Sequence, residues 1–404
     1  MQPPKGTRDL LPSDMRKLNY VLSIVESVFK RYGYEPIDTP VFEDWDVLSA
    51  KNAGGEELKK ETYYFKDKSD RELGLRYDLT VPAARIVASD PSIAKPFKRY
   101  SIGKAWRYEQ PQAGRYREFW QADVDCYGSE LARADAEVIA IASDCLRELG
   151  LKEFRIRLND RRVIERKVNK LGITNPLEVF RCLDKLEKIG EETVCKELKE
   201  KGVETGKIEK LMALVRSKPE EIDELEGLVK ELKNFGIEKE VAIDFGMIRG
   251  FDYYTGPVFE ITAGGLAIGG GGRYDRLIEA YGGKPTPAVG ISLGISRIVD
   301  EMDKKKLFDI EDYPAKVFVC SVNVDMVKEA VKIVQRLRKS GISADFDLMG
   351  RNLSKQFDYI NAKKIPFAVV VGPAEIKAKK FVLRDMKTGK EKKLGLETMI
   401  KELG

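Results

Sequence analysis

The stretch Trp106–Gly128, WRYEQPQAGRYREFWQADVDCYG, is dense in side chains capable of chemistry. As extended chain, residues 117–128 alternate between two faces. Trp120, Ala122, Val124 and Cys126 form an apolar face, while Phe119, Gln121, Asp123, Asp125 and Tyr127 form the other. Carboxylates and an amide turned into a core cost several kcal/mol when they lack partners. A polar pocket floored by this face removes that cost. The preceding RYSIGKAWRYE repeats the alternation, with Arg99, Arg107 and Glu109 on one face. Pro111 and Gly114 then mark a turn. The spacing predicts a long antiparallel hairpin with arginines near its turn and acids deeper in. Arginines suit phosphate, and carboxylates suit a cationic amine or imidazolium. The same residues could instead build a ladder of ion pairs between the strands.

Three further clusters carry the same kind of groups. GMIRGFDYYTGPVFEI, Gly246–Ile261, places Arg249 between glycine-bearing turns, just before Tyr253 and Tyr254. AIGGGGRYDRL, Ala267–Leu277, has four consecutive glycines, which let a backbone approach a ligand or a neighbouring strand closely. It lacks the spacing of a Walker loop or a Rossmann fingerprint. PAVGISLGISRIVDEM reads as a glycine-punctuated strand entering a helix, with Arg297 near the helix start.

Composition limits the mechanisms. The 404-residue chain contains no histidine. Mechanisms that use a protein imidazole are therefore excluded, including Ser-His-Asp systems and His-ligated zinc. The work falls to arginines, carboxylates, tyrosines, backbone groups and bound ions. Five scattered cysteines without CxxC spacing argue against a disulfide framework. A net charge of +5 permits a polyanionic partner without requiring one. With no long apolar run and no apolar signal core at the start, the expected location is the cytoplasm and no membrane is involved.

The elements that must position these groups follow from periodicity. Asp14–Tyr32 spaces its apolar residues helically and stops at Gly33. ETYYFKD predicts a hairpin leading into LGLRYDLTVPAARIVAS, a strand that turns into a helix. From about Asn159 to Lys233 the texture becomes Lys/Glu-rich and helical, as in an insertion with solvated faces. After a linker near Asp303–Lys316, short apolar strands alternate with helical periods, which predicts a small α/β domain with a largely parallel sheet.

Taken together and in this order, the segments resemble the class II aminoacyl-tRNA synthetases and, within them, the histidyl-tRNA synthetase family. PIDTPVFED resembles motif 1, the hairpin segment motif 2, and AVGISLGISRI motif 3; RGFDYYTG and GGGGRYD resemble the two histidine-specific motifs. The resemblance covers essentially the whole chain. It implies an α+β catalytic domain with a mixed, mainly antiparallel sheet over residues 1–310, with a helical insertion at 160–235. A C-terminal α/β anticodon-binding domain follows at 315–404. It also implies ATP and Mg2+, L-histidine and tRNA(His) as partners, and a homodimer.

Carried over by position, Arg107 and Arg249 are the catalytic arginines at the α-phosphate. Glu109 and Phe119 lie beside the adenine, and Arg115 and Arg297 grip the terminal phosphates. Asp78, with its neighbour Leu79, Thr80 and Gln121 hold the substrate ammonium. Asp125 and Tyr254 read the imidazole, with Tyr253 and Tyr274 lining that pocket. Metal ligands are not assigned by the resemblance. RYDLT carries aspartate where many bacterial members have glutamate, Asp125 replaces a longer acid, and Trp106 stands where phenylalanine is usual. None of these departures removes a charge. Anticodon contacts are expected within GRNLSKQ, Gly350–Gln356, from its basic and amide groups. A non-catalytic, synthetase-like regulatory subunit of histidine biosynthesis is the alternative; such relatives lose the phosphate-gripping arginines and the anticodon-binding domain.

Overall fold

The computed structural model describes residues 1–50, 55–111, 114–217, 223–248, 253–311 and 313–404. They fall into two compact units, Met1–Phe308 and Asp309–Gly404.

The first unit is built on an eight-stranded sheet. From one edge its strands run Glu35–Pro36, Phe97–Trp106, Glu118–Tyr127, Ala288–Leu293, Leu266–Arg273, Pro257–Ala263, Phe154–Asp160 and Val241–Ile243. The two outermost pairings are parallel and every inner one is antiparallel. Helix Pro12–Arg31 buries Leu18, Val21, Val25, Val28 and Phe29 against one face, then stops before Gly33, whose φ of 74° only glycine adopts cheaply. Helix Ala132–Glu148 lies on the same face, over Ala122, Val124 and Cys126. The apolar side of the predicted alternation therefore floors the main core. The opposite side is left free for polar work.

A three-stranded sheet, ordered Phe42–Asp44, Glu72–Leu75 and Tyr64–Lys66, leads into helix Thr80–Ser89. Glu43 and Arg85 tie sheet to helix through paired bonds of 2.8 and 2.9 Å. The helices from Arg161–Lys170 to Thr205–Arg216 gather around their own core of Val163, Phe180, Leu198, Leu211 and Met212. Helix Asp223–Asn234 does not join it. Its Leu225, Leu228 and Leu232 pack into the main core beside Ala132–Glu148.

In the second unit the sheet runs Ala344–Phe346, Val317–Ser321, Phe367–Val371, Phe381–Asp385, Glu391–Leu394. The largely parallel sheet expected from the sequence is corrected here: two pairings are parallel and two antiparallel. One of the antiparallel pairings is closed by MKTGK: Asp385 accepts the Lys387 and Thr388 amides and Gly389 takes φ 71°, a tight hairpin that joins the last two strands directly.

Candidate active site

The hairpin Phe97–Trp106/Glu118–Tyr127 fixes the site by register. Arg99 faces Asp125, Ser101 faces Asp123, Gly103 faces Gln121, and Ala105 faces Phe119. Small residues opposite the large polar ones keep the floor open. A cleft of about 380 Å³ lies on this face. The expected ladder of ion pairs exists only in part: Lys104 and Glu118 pair at 2.7 Å on the reverse face, and Arg99 pairs with Asp125 at the deep end.

At the mouth the predicted arginines converge. The Arg107 Nε donates to the Tyr77 carbonyl at 3.0 Å, and its guanidinium lies 5.2 Å from the Phe119 ring centroid. Phe119 thus offers an aromatic surface next to a fixed cation. Arg297 donates to the carbonyls of Gly114 and Ala267 at 2.8 and 2.6 Å. Arg115 and Glu109 pair with each other at 2.8 Å, so a ligand that uses both must first separate them. Arg249 lies outside the described residues.

Further in, Asp78 accepts the Val81 amide at 2.9 Å, which fixes its carboxylate at the start of helix Thr80–Ser89. Buried Arg76 holds this loop, donating to Thr39 O at 2.6 Å and to Lys104 O at 3.0 Å. Asp78 and Thr80 line the cleft, whereas Leu79 does not. The Gln121 amide donates to Ser292 Oγ at 2.6 Å. The Tyr253 and Tyr254 rings meet at a tilt of 35° with centroids 4.3 Å apart, and the Tyr274 ring lies 5.5 Å from that of Tyr253.

Asp125 and Tyr274 stand one layer behind this surface. Neither lines the cleft; Tyr274 donates its hydroxyl to Asp125, whose other side meets Arg99. Of the two acids on this strand, the one that faces the cleft is Asp123, 1% exposed. Burial pushes its carboxyl up to about 7, Arg99 opposes that shift, and Asp125 and Asp78 add to it. Asp123 was visible in the strand alternation but was not assigned a role. Glu260, also in the wall and bonded to Arg157 at 3.2 Å, gave no signal in the sequence.

The glycine-rich strand forms the opposite wall. A Cβ on Gly271 would sit 2.0 Å from the Gly290 carbonyl oxygen, and one on Gly290 would sit 1.9 Å from Asp125 Oδ1. The glycines therefore allow close strand packing around the acids. Gly269 and Gly270 line the cleft directly.

A family model described as Histidyl-tRNA synthetase matches residues 6–298, more than half of the sequence. The chain belongs to the histidyl-tRNA synthetase family. A second model, Anticodon binding domain, matches residues 316–404. Among curated relatives, histidine–tRNA ligase of Thermococcus kodakarensis is 38% identical across 99% of this chain and 97% of its own length. That of Korarchaeum cryptofilum is 40% identical across 92% and 91%. The solved histidyl-tRNA synthetase of Nostoc sp. PCC 7120 is 28% identical with a TM-score of 0.83, covering 100% of this chain and 98% of that one. The class II fold expected from the motifs is the fold observed. Among the described residues no helix is long and apolar enough to cross a membrane.

In this family setting the expected anticodon segment needs one correction. Gln356 is fully buried, and its amide bonds to Ser321 and Arg351, so it offers nothing outward. Asn352 caps helix Leu353–Ala362, and Lys355 is the exposed cation of the segment. Leu348 and Met349 precede it, 79% and 72% exposed.

Proposed function

We infer that this chain activates L-histidine with ATP and transfers it to tRNA(His), as a histidine–tRNA ligase. The observation that carries the reading is one continuous cleft with arginines at its mouth and carboxylates and tyrosines at its depth. ATP fits the mouth: adenine beside Phe119 and Glu109, the α-phosphate at Arg107, and the terminal phosphates at Arg115 and Arg297. Arg249 takes the α-phosphate role that the family resemblance gives it. The substrate ammonium meets Asp78, Thr80 and Gln121. The imidazole meets Tyr254, with Tyr253 lining the pocket, above the layer of Asp125 and Tyr274.

The histidine carboxylate attacks the α-phosphorus in line and pyrophosphate leaves. That step needs positioning and charge neutralisation more than proton transfer, and fixed guanidiniums supply both. The described residues contain no group of three potential metal ligands. Magnesium would neutralise charge on the β- and γ-phosphates of ATP. In the second step the 3′-terminal ribose takes the acyl group. With no imidazole in the protein, a phosphate oxygen of the adenylate is the base. A Glu109→Gln variant that still forms adenylate but no longer transfers it would contradict that assignment.

Residues 1–310 form the catalytic domain of this reading, 160–235 its insertion, and 315–404 the anticodon-binding domain. The enzyme works in the cytoplasm as a homodimer. The test is ATP–pyrophosphate exchange with each amino acid. Exchange with histidine alone supports the reading, and its loss in Arg249→Ala locates the α-phosphate contact. A folded chain without any exchange is instead a synthetase-like regulatory subunit.

A further inference from the structure

Arg99 is the one arginine among the described residues with no exposed surface. Nothing in the catalytic reading above uses it. A buried guanidinium is costly to desolvate and persists only with compensating groups. Its Nη2 donates to Leu79 O at 3.2 Å and pairs with Asp125. The carboxylates of Asp123 and Asp125 sit two residues apart on the facing strand, on the same face and both buried. Two adjacent carboxylates away from water do not both ionise unless a cation is present.

The elements packed around this cluster supply its remaining titratable neighbours. Asp78 comes from the loop before helix Thr80–Ser89, Tyr127 from the facing strand, and Tyr253, Tyr254 and Tyr274 from the opposite wall. Burial opposes the Arg99 charge, but Asp125 first, then Tyr127, Tyr274 and Asp123 outweigh it and hold the guanidinium protonated. The cluster places one fixed cation behind Asp125 and leaves Asp123 in front, facing the cleft.

We propose that Arg99 is the positioning residue of the amino-acid pocket: its ion pair holds Asp125 in place against Tyr274, so that Asp123 is presented to the substrate. The inference rests on the histidine-activating reading and adds to it the residue that sets the pocket's charge. Arg99 touches no substrate; it acts through the two carboxylates. Its loss raises the pH at which Asp123 ionises and weakens amino-acid binding near neutrality, while leaving the in-line chemistry at the mouth intact.

The experiment is ATP–pyrophosphate exchange by the full chain from about pH 6 to 9, reading KM and kcat separately. It is run with histidine and with 1,2,4-triazolylalanine, whose ring takes up no proton in that range. For both substrates the wild type should show KM falling about tenfold as pH rises through about 7. Arg99→Met should move that fall upward by about one pH unit or more, with kcat within about twofold. Arg99→Lys should restore its position, and Asp123→Asn should abolish it. A folded Arg99→Met whose KM profile superimposes on the wild type overturns the proposal and leaves Arg99 a structural ion pair. So does an Asp123→Asn that keeps the fall. If Arg99→Met does not fold, the Asp123→Asn and Arg99→Lys profiles decide by the same criteria. Failure of the wild type to exchange with any amino acid is a different result, and overturns the activation reading itself.

Discussion

Arg297, on the helix that ends motif 3, donates its Nε to the carbonyl of Gly114 in the turn of the motif 2 hairpin, at 2.8 Å. A second bond from Nη1 to Ala267 O, at 2.6 Å, joins the start of the glycine-rich strand to the same guanidinium. One side chain thus fastens three segments far apart in sequence around the mouth of the cleft. Arg297→Ala is expected to lower kcat/KM for ATP by about 10²-fold in the exchange reaction. KM for histidine should change little, because Arg297 is bonded to the Gly114 and Ala267 carbonyls at the mouth of the cleft. Steady-state kinetics varying each substrate in turn distinguishes the two.

The Asp123 carboxyl, raised to about 7 by burial, carries a consequence for stability. A carboxyl that binds its proton more tightly folded than unfolded loses stability as pH rises from its ordinary value near 4 towards 7. Asp123→Asn should therefore stabilise the unliganded chain by about 1–3 kcal/mol at pH 8 and have little effect near pH 4. Denaturant unfolding at the two pH values checks this. A benefit of the same size at both would remove titration as its cause.

Close strand packing around the acids makes Gly271 intolerant of a side chain, since its Cβ would meet backbone and the Phe259 ring at once. Gly271→Ala is expected to cost about 3 kcal/mol or more. Gly206, exposed in the first turn of helix Thr205–Arg216 with open space around it, is the control. Gly206→Ala should be neutral or stabilising by up to about 1 kcal/mol. Thermal melts of the two variants make the comparison.

How far the sequence reveals this site can be judged from particular residues. The polar alternation along Phe119–Tyr127 already separates a cleft face from a core face, and the structure keeps that division. Charge type at the mouth was equally legible, because Arg107, Arg115 and Arg297 sit in short, distinctive segments. Depth was not. Asp125 was read as facing the ligand, but it lies behind the surface because Tyr274, 149 residues away in the chain, bonds to it. Its close fit against Gly290 is likewise a property of strand register. Arg99 shows the same limit, since alternation marks its face but not its complete enclosure. In the second unit, alternating strands and helices predicted parallel pairing; the Asp385–Gly389 turn instead folds the last two strands back on each other through local hydrogen bonds. Gln356 looked like a surface amide and is a buried strut.

Lys355 should separate tRNA binding from activation. It is exposed in the second unit, as are Leu348 and Met349 shortly before it in the chain, and a cation and apolar side chains suit phosphate and unstacked bases. Lys355→Ala is expected to raise KM for tRNA about threefold or more in charging assays. Histidine-dependent exchange without tRNA should be unchanged.

The central claim is tested most directly by charging: incubating the purified chain with ATP, labelled histidine and a tRNA(His) transcript, and counting acid-precipitable label. Histidine is expected to accumulate on that transcript to a level set by the tRNA added, and not on a transcript of different identity. A folded chain that forms histidyl-adenylate but never transfers it, or that charges both transcripts equally, would contradict the account.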